Sequence, residues 1–202
     1  MHKKYEFTDE TIFINGKILH RIKALIDIDQ FNVKAGDLGG FIEVENNLSH
    51  DDDAWVSENA AVTGNAWIRG NAWIRGNAVV SENAVVSENA VVTENAVVTG
   101  DARVSGNAVI SEKAVVTGDS RVCGNAKIEH VSDYACVQGF GSFCRNTTFF
   151  KCKDNSVRVQ CGCFYGTIDE FRAKVKETHG ESKYAKEYLM IADLMEYHFA
   201  ED

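Results

Sequence analysis

Two adjacent hexapeptides, Trp67-Ile-Arg-Gly-Asn-Ala and Trp73-Ile-Arg-Gly-Asn-Ala, hold the residues best suited to binding chemistry. The guanidinium groups of Arg69 and Arg75 pair with phosphate, and the indoles of Trp67 and Trp73 offer flat surfaces on which a base can stack. Arg103 and Arg121 follow at multiples of eighteen residues from Trp67 and join the candidate ligand-binding set. The plainer reading is an ion pair of Arg69 with Asp51, and tryptophans that fill an interface. Histidine offers less. His50 is expected inside or at a cap, His130 at an exposed corner, and no histidine occurs between Val56 and Lys127. All six cysteines lie between Cys123 and Cys163. The spacing of Cys144, Cys152, Cys161 and Cys163 lacks the paired C-x-x-C knuckles of a zinc site, so free thiols are expected. Neither a metal nor a cofactor is expected.

The element that must position these residues is a repeat. From Val44 to Lys127 the chain divides into fourteen hexapeptides without a gap. The first position is Val or Ile in thirteen and the fifth is Ala in twelve; the third is Gly in seven and Glu in five. Strand side chains alternate faces, so Ala60 and Val62 point one way while Ala61 and Thr63 point the other. Gly64-Asn65 then breaks the strand, since both residues tolerate positive φ. Three such sides close a triangular coil of eighteen residues, with Val or Ile and the small Ala inside. The fourteen hexads fill between four and five coils, and degenerate hexads from Ile128 to Gly139 are expected to extend them.

Residues eighteen apart stack on one outer face. The first face reads Ala61, Val79, Val97, Val115, the second Trp55, Trp73, Val91, Val109, and the third Trp67, Val85, Arg103, Arg121. A contiguous apolar column marks a contact surface. Val79, Val97, Val115, Trp55, Val91 and Val109 are therefore the expected interface between copies. The alternative for the valines is β-propensity alone. A Val/Thr face also suits ice binding, but the repeated Thr-x-Thr rank is missing. Glu58, Glu94 and Glu112 share a corner column that Gly76 interrupts, which reads as a solvated face before a DNA mimic.

Composition bounds the remaining classes. Net charge −9 argues against direct nucleic-acid binding, and no apolar run reaches the length of a membrane span. The complete lack of proline fits an unbroken regular architecture. Met1-His-Lys-Lys-Tyr-Glu-Phe lacks the apolar core of a signal peptide, so a reduced cytoplasmic setting is expected.

The hexad pattern resembles the hexapeptide-repeat left-handed parallel β-helix family, in which an aliphatic residue is followed four positions on by a small one. The resemblance implies left-handed coils and, commonly, a trimer. The reading is mainly β, with about five coils: residues 1–43 an N-terminal β-hairpin cap, 44–139 the helix, and 140–202 strands and a two-helix cap. Asn15-Gly16 marks the hairpin, Thr147-Thr-Phe-Phe and Ser156-Val-Arg-Val-Gln two strands, and Thr167-Ile-Asp-Glu170 a capping box that opens a helix ended by Gly180. A second helix, Ser182 to Phe199, carries the stripe Tyr184, Tyr188, Ile191, Met195. The segments Phe31–Glu43 and Gly162–Phe171 are similar to the flanks of hexapeptide-repeat proteins carried by phages and prophages. That implies a phage-encoded protein acting in the host cytoplasm. The expected function is non-enzymatic binding in counter-defence, by an oligomer that sequesters a nucleotide-type signal or occupies a host defence protein. The alternatives are an acyltransferase, which the resembled fold often houses, and a purely structural scaffold.

Overall fold

The structure is a computed structural model and describes residues 3–200. Met1, His2, Glu201 and Asp202, the outermost residues of the two expected caps, lie outside the described residues. Strand β1 (Tyr5–Ile14) pairs antiparallel with β2 (Lys17–Ala24). Asn15 and Gly16 turn the hairpin with φ of 50° and 83°, the positive pair that a tight two-residue turn demands. β2 in turn pairs with β3 (Leu38–Ile42). Thirteen two-residue strands follow at six-residue steps, β4 (Trp55–Val56) through β16 (Lys127–Ile128). They stack into three parallel sheets, with partners eighteen residues apart, such as Val79 with Val97 and Val97 with Val115.

The interior is the alternation made physical. Fifteen inward residues, Ile42, Leu48 and then Val56 to Ile128 at every sixth position, are buried, three to a coil, giving five coils. Beside the thirteen from Val56 to Ile128 stand alanines, with Ser120 as the one exception, because the narrow triangle has room for one branched and one small side chain per side. This architecture is consistent with the left-handed parallel β-helix.

Both ends differ from the sequence reading. Ile42 pairs with Val62 and Leu48 with Ile68, twenty residues on rather than eighteen. Two extra residues are taken up in the acidic turn Asp51–Asp53, so the first two hexads are out of register. Val44 is exposed, His50 lies outside the interior, and β3 already forms part of the first coil. At the far end the coils stop at Ile128. Tyr134–Val137 does not make a sixth coil: it is β17, which pairs antiparallel with β18 (Thr147–Lys151). The sheet continues with β19 (Val157–Cys161) and β20 (Phe164–Thr167).

Each end is plugged by its cap. Tyr5, Ile22, Ile28 and Trp55 join the helix core at the start, and Phe150 from β18 joins it at the end. Arg121 N donates to Thr148 Oγ1 at 3.0 Å, tying the last coil to β18. The other face of that sheet packs on α1 (Ile168–His179) and α2 (Lys183–Phe199) through Phe149, Phe171, Val175, Tyr188, Ile191 and Met195. Thr167 and Glu170 form the expected capping box, at 3.1 and 2.7 Å. Tyr184, expected on the buried stripe of α2, is exposed instead.

Candidate functional site

The identical hexads place their Trp–Arg pairs around one corner, on two different faces. Within each hexad the local geometry is the same: the guanidinium carbon of Arg69 lies 4.6 Å from the Trp67 ring centre, and that of Arg75 lies 4.5 Å from Trp73. Outward side chains two apart on a strand lie on the same side, which brings cation and ring together.

What surrounds the two pairs differs. On the second face Phe31 stacks on Trp73 at 4.9 Å and 22°, and the indole nitrogen donates to Ser57 Oγ at 3.0 Å. Trp73 is half-buried, Arg75 has a buried Nε without a partner, and little indole surface is left for a ligand. On the third face no ring stacks on Trp67 among the described residues, and Trp67 is 43% exposed. The structure therefore separates the six candidate ligand residues. Trp67, Arg69, Arg103 and Arg121 share the third face; Trp73 and Arg75 sit around the corner beneath the chain's own Phe31.

Arg103 and Arg121 are register partners in adjacent coils, and both are exposed. Neighbouring strands lie about 4.8 Å apart, so two like charges stand directly opposite one another, an unfavourable arrangement. Neither has a carboxylate partner among the described residues. Among the described residues the ion pairs made by arginines belong to Arg21 and Arg172. Arg69 likewise makes no ion pair with Asp51. The outward positions of the third face carry no acid, although Asp and Glu outnumber Lys and Arg 30 to 21 in the chain.

At the foot of this face Trp67 forms one wall of a cleft of about 730 Å³, bounded by Lys3 and by residues 44–51 and 64–66. Its polar groups are mostly committed to structure. Asn47 Nδ2 donates to the carbonyls of Gly64 and Ala66 at 3.0 and 2.8 Å. Hydrogen bonds from Lys3 and then His50 hold the Glu45 carboxyl below its usual range. The His50 ring stacks on Tyr5 at 4.3 Å. Its Nδ1 accepts the Lys4 amide at 3.1 Å, which leaves Nε2 as the donor to Glu45 Oε1, also 3.1 Å. Both nitrogens are therefore engaged. His130 is exposed beside Asp133.

The expected contact faces need correction. Trp55, expected to face outward, is 0% exposed, because the lead-in segment crosses the second face: Gly39 lies against the Trp55 ring, and Phe31 and Val33 pack on the same core. It cannot serve an interface between copies. On the first face the N-terminal hairpin folds over Ala61: Leu19, Phe41 and Ala61 form a small core with Ile12, Ile14 and Val79 at its rim. Val97, Val115, Val91 and Val109 remain half-buried, as Val79 does.

The Glu corner also has a structural role. Glu58 Oε2 accepts the Gly76 amide at 2.9 Å, and Glu94 Oε2 accepts that of Glu112 at 2.6 Å. The cysteines are free, and burial pushes the Cys123 thiol up to about 11. Cys144, Cys152, Cys161 and Cys163 do not converge; among the described residues no three His, Cys, Asp or Glu side chains come together to hold an ion. No described helix is long and apolar enough to cross a membrane.

Two contributors escaped the sequence reading. Phe31 completes the Trp73 stack from 42 positions earlier, and no local signal links the two. Arg145, beside Arg121 in a second cleft of about 610 Å³, comes from an irregular loop with no repeat to place it. No protein-family model matches the chain, and no curated protein matches it in sequence.

Proposed function

We propose that the protein is a non-enzymatic binder that holds a nucleotide-type anion on its third face. The observation that carries this reading is the Arg103–Arg121 pair: like charges in register, exposed, and without a carboxylate partner among the described residues of an otherwise acidic chain. A repeat with valine at the equivalent Val85 has no structural need for either arginine. An anion lying across the two guanidinium groups relieves their repulsion and forms charge-assisted hydrogen bonds. Trp67 and Arg69 extend the same face toward its foot.

An acyl-transfer reading would ask His50 to act as a base, and its two ring nitrogens are already engaged by Lys4 and Glu45. The phage setting and a counter-defence role rest on the resemblance of the flanking segments, and a trimer on the resemblance of the hexad pattern. Self-association through Val97 and Val115 belongs to the same proposal. The test is calorimetric titration against cyclic and linear nucleotides. Arg103→Ala is expected to weaken binding about tenfold or more, since a hydrogen bond to a charged group contributes roughly 1.5–3 kcal/mol. Affinity should fall with added salt, because both arginines are solvated. No binding across the panel, with the protein folded, overturns the proposal.

A further inference from the structure

The two Trp-Ile-Arg-Gly-Asn-Ala hexads amount to a comparison the chain makes with itself. Sequence, strand geometry and indole–guanidinium distance are matched, at 4.6 Å for one and 4.5 Å for the other. One indole has a planar ring seated on it and the other does not. The seated ring, Phe31, is delivered by a purpose-built clip. Ile28 bridges Val33, and Lys34 Nζ binds Asp27 and Asp29 at 3.1 Å each, so the short turn between them holds Phe31 over Trp73. No described segment does this for Trp67. In its place lies the cleft of about 730 Å³, a size suited to a small-molecule ligand.

We infer that the Trp67–Arg69 pair and the adjoining cleft form a seat for the planar heteroaromatic ring of a small ligand, the role that Phe31 fills at Trp73. The cleft favours a heteroaromatic over a plain phenyl ring. Asn46, Asn65 and Asp51 line it, and the Asn65 amide donates to Asn83 Oδ1 at 3.0 Å; the Asn65 oxygen takes no hydrogen bond from the described residues and can accept from a ring nitrogen or amine. The seat also adjoins the arginine column. Arg69 lies against the Trp67 ring, and Arg103 is two coils up the same face, about 10 Å at the spacing of parallel strands. A nucleoside phosphate with its base on Trp67 thus directs its charged end toward arginines. The inference rests on the anion-binding reading of the third face for the identity of that charged end, and on the twin hexads alone for the ring.

Adenosine, AMP and ribose 5-phosphate separate the two. Each is titrated by calorimetry against the wild-type chain, Trp67→Ala and Trp67→Phe; circular dichroism checks the fold, which an outward side chain does not support. AMP is expected to bind the wild type at least about tenfold tighter than ribose 5-phosphate, the contribution of one base stacked on an aromatic side chain. Trp67→Ala should erase that margin while leaving ribose 5-phosphate unchanged, and Trp67→Phe should restore part of it. Equal binding of AMP and ribose 5-phosphate by the wild type overturns the ring seat and leaves the anion face standing. Equal, salt-independent binding of AMP and adenosine supports the seat and overturns the anion face. Failure of all three to bind overturns both.

Discussion

Glu88 Oε2 accepts the backbone amide of Gly106 at 2.7 Å, one coil above, while Glu88 itself sits at φ 59°. The same relationship joins Glu82 to Gly100 at 2.7 Å. It explains the third column of the repeat, where Gly and Glu alternate irregularly: from Asp52 to Gly124 every residue there has positive φ. Glycine meets that demand by lacking a Cβ. Glu58, Glu82, Glu88 and Glu94 carry the left-handed strain and offset it by capping the next corner. Glu88→Ala should therefore cost about 1 kcal/mol, the worth of the lost hydrogen bond, whereas Glu88→Gly should be nearly neutral because strain is relieved. Urea melts of both variants decide it, and the reverse order contradicts this account of the corner.

At Gly64, Gly70, Gly76, Gly100 and Gly106 the backbone of the coil above crowds the place a Cβ would take. A Cβ on Gly70, at φ 66°, would lie 2.8 Å from Glu88 N. Gly70→Ala combines that clash with left-handed strain of about 1–2 kcal/mol, so it should destabilise by more than about 2 kcal/mol. A cost below about 1 kcal/mol in the same melts contradicts the tight corner.

Inside and outside can be separated at two adjacent residues. Ala90 is fully buried and Val91, its neighbour, faces out half-buried. Ala90→Leu overfills the triangle and should cost roughly 1–3 kcal/mol or more, while Val91→Leu should cost much less. Equal destabilisation would overturn the alternation.

Lys4 supplies a pH signature. Its ammonium is buried and donates to the carbonyls of Asp52 and Ala54 at 3.0 and 2.7 Å, holding the acidic turn that takes up the two extra residues. Burial lowers its pKa from 10.5 to about 8, against the opposing charges of Asp53, Asp52 and Asp51. Below pH 8 both folded and unfolded chains hold the proton. Between pH 8 and 10.5 the unfolded chain holds more, so this group's contribution to stability rises with pH across that window. The stability of the wild type relative to Lys4→Met should increase from pH 8 to pH 10. A flat or falling difference contradicts it. Taking the difference cancels Tyr5, whose hydroxyl burial pushes upward and which acts in the opposite sense at high pH.

Self-association is checked by light scattering. Val97 and Val115 form an apolar strip that the N-terminal hairpin does not reach. The wild-type mass should exceed 22.3 kDa, and replacing both valines with Lys should reduce it without unfolding the helix. A wild-type mass near 22.3 kDa contradicts this proposal.

The repeat body was legible because each hexad specifies its own inside, outside and corner, and five coils repeat that information. Legibility failed where the chain interacts across sequence distance. The two residues absorbed at Asp51–Asp53 shift the first hexads without changing their composition, which is why His50 read as an interior residue. Trp55 and Ala61 carry no mark of the segments that cover them, since a buried outward residue and an interface residue look alike in a column. Of the candidate site, the third-face arginines were visible from spacing alone. The contrast between Trp67 and Trp73 was not, because it depends on Phe31.

The central claim is that Arg103 and Arg121 stand together for an anion and against the interest of the empty fold. Thermal melts of the wild type and Arg121→Val, each with and without a saturating nucleotide, test both halves at once. The account predicts that Arg121→Val melts higher than the wild type when empty, because a like-charged pair is replaced by a strand-favouring residue, and loses most of the ligand-induced rise. An empty variant that melts no higher than the wild type, or one that keeps the full rise with ligand, contradicts it.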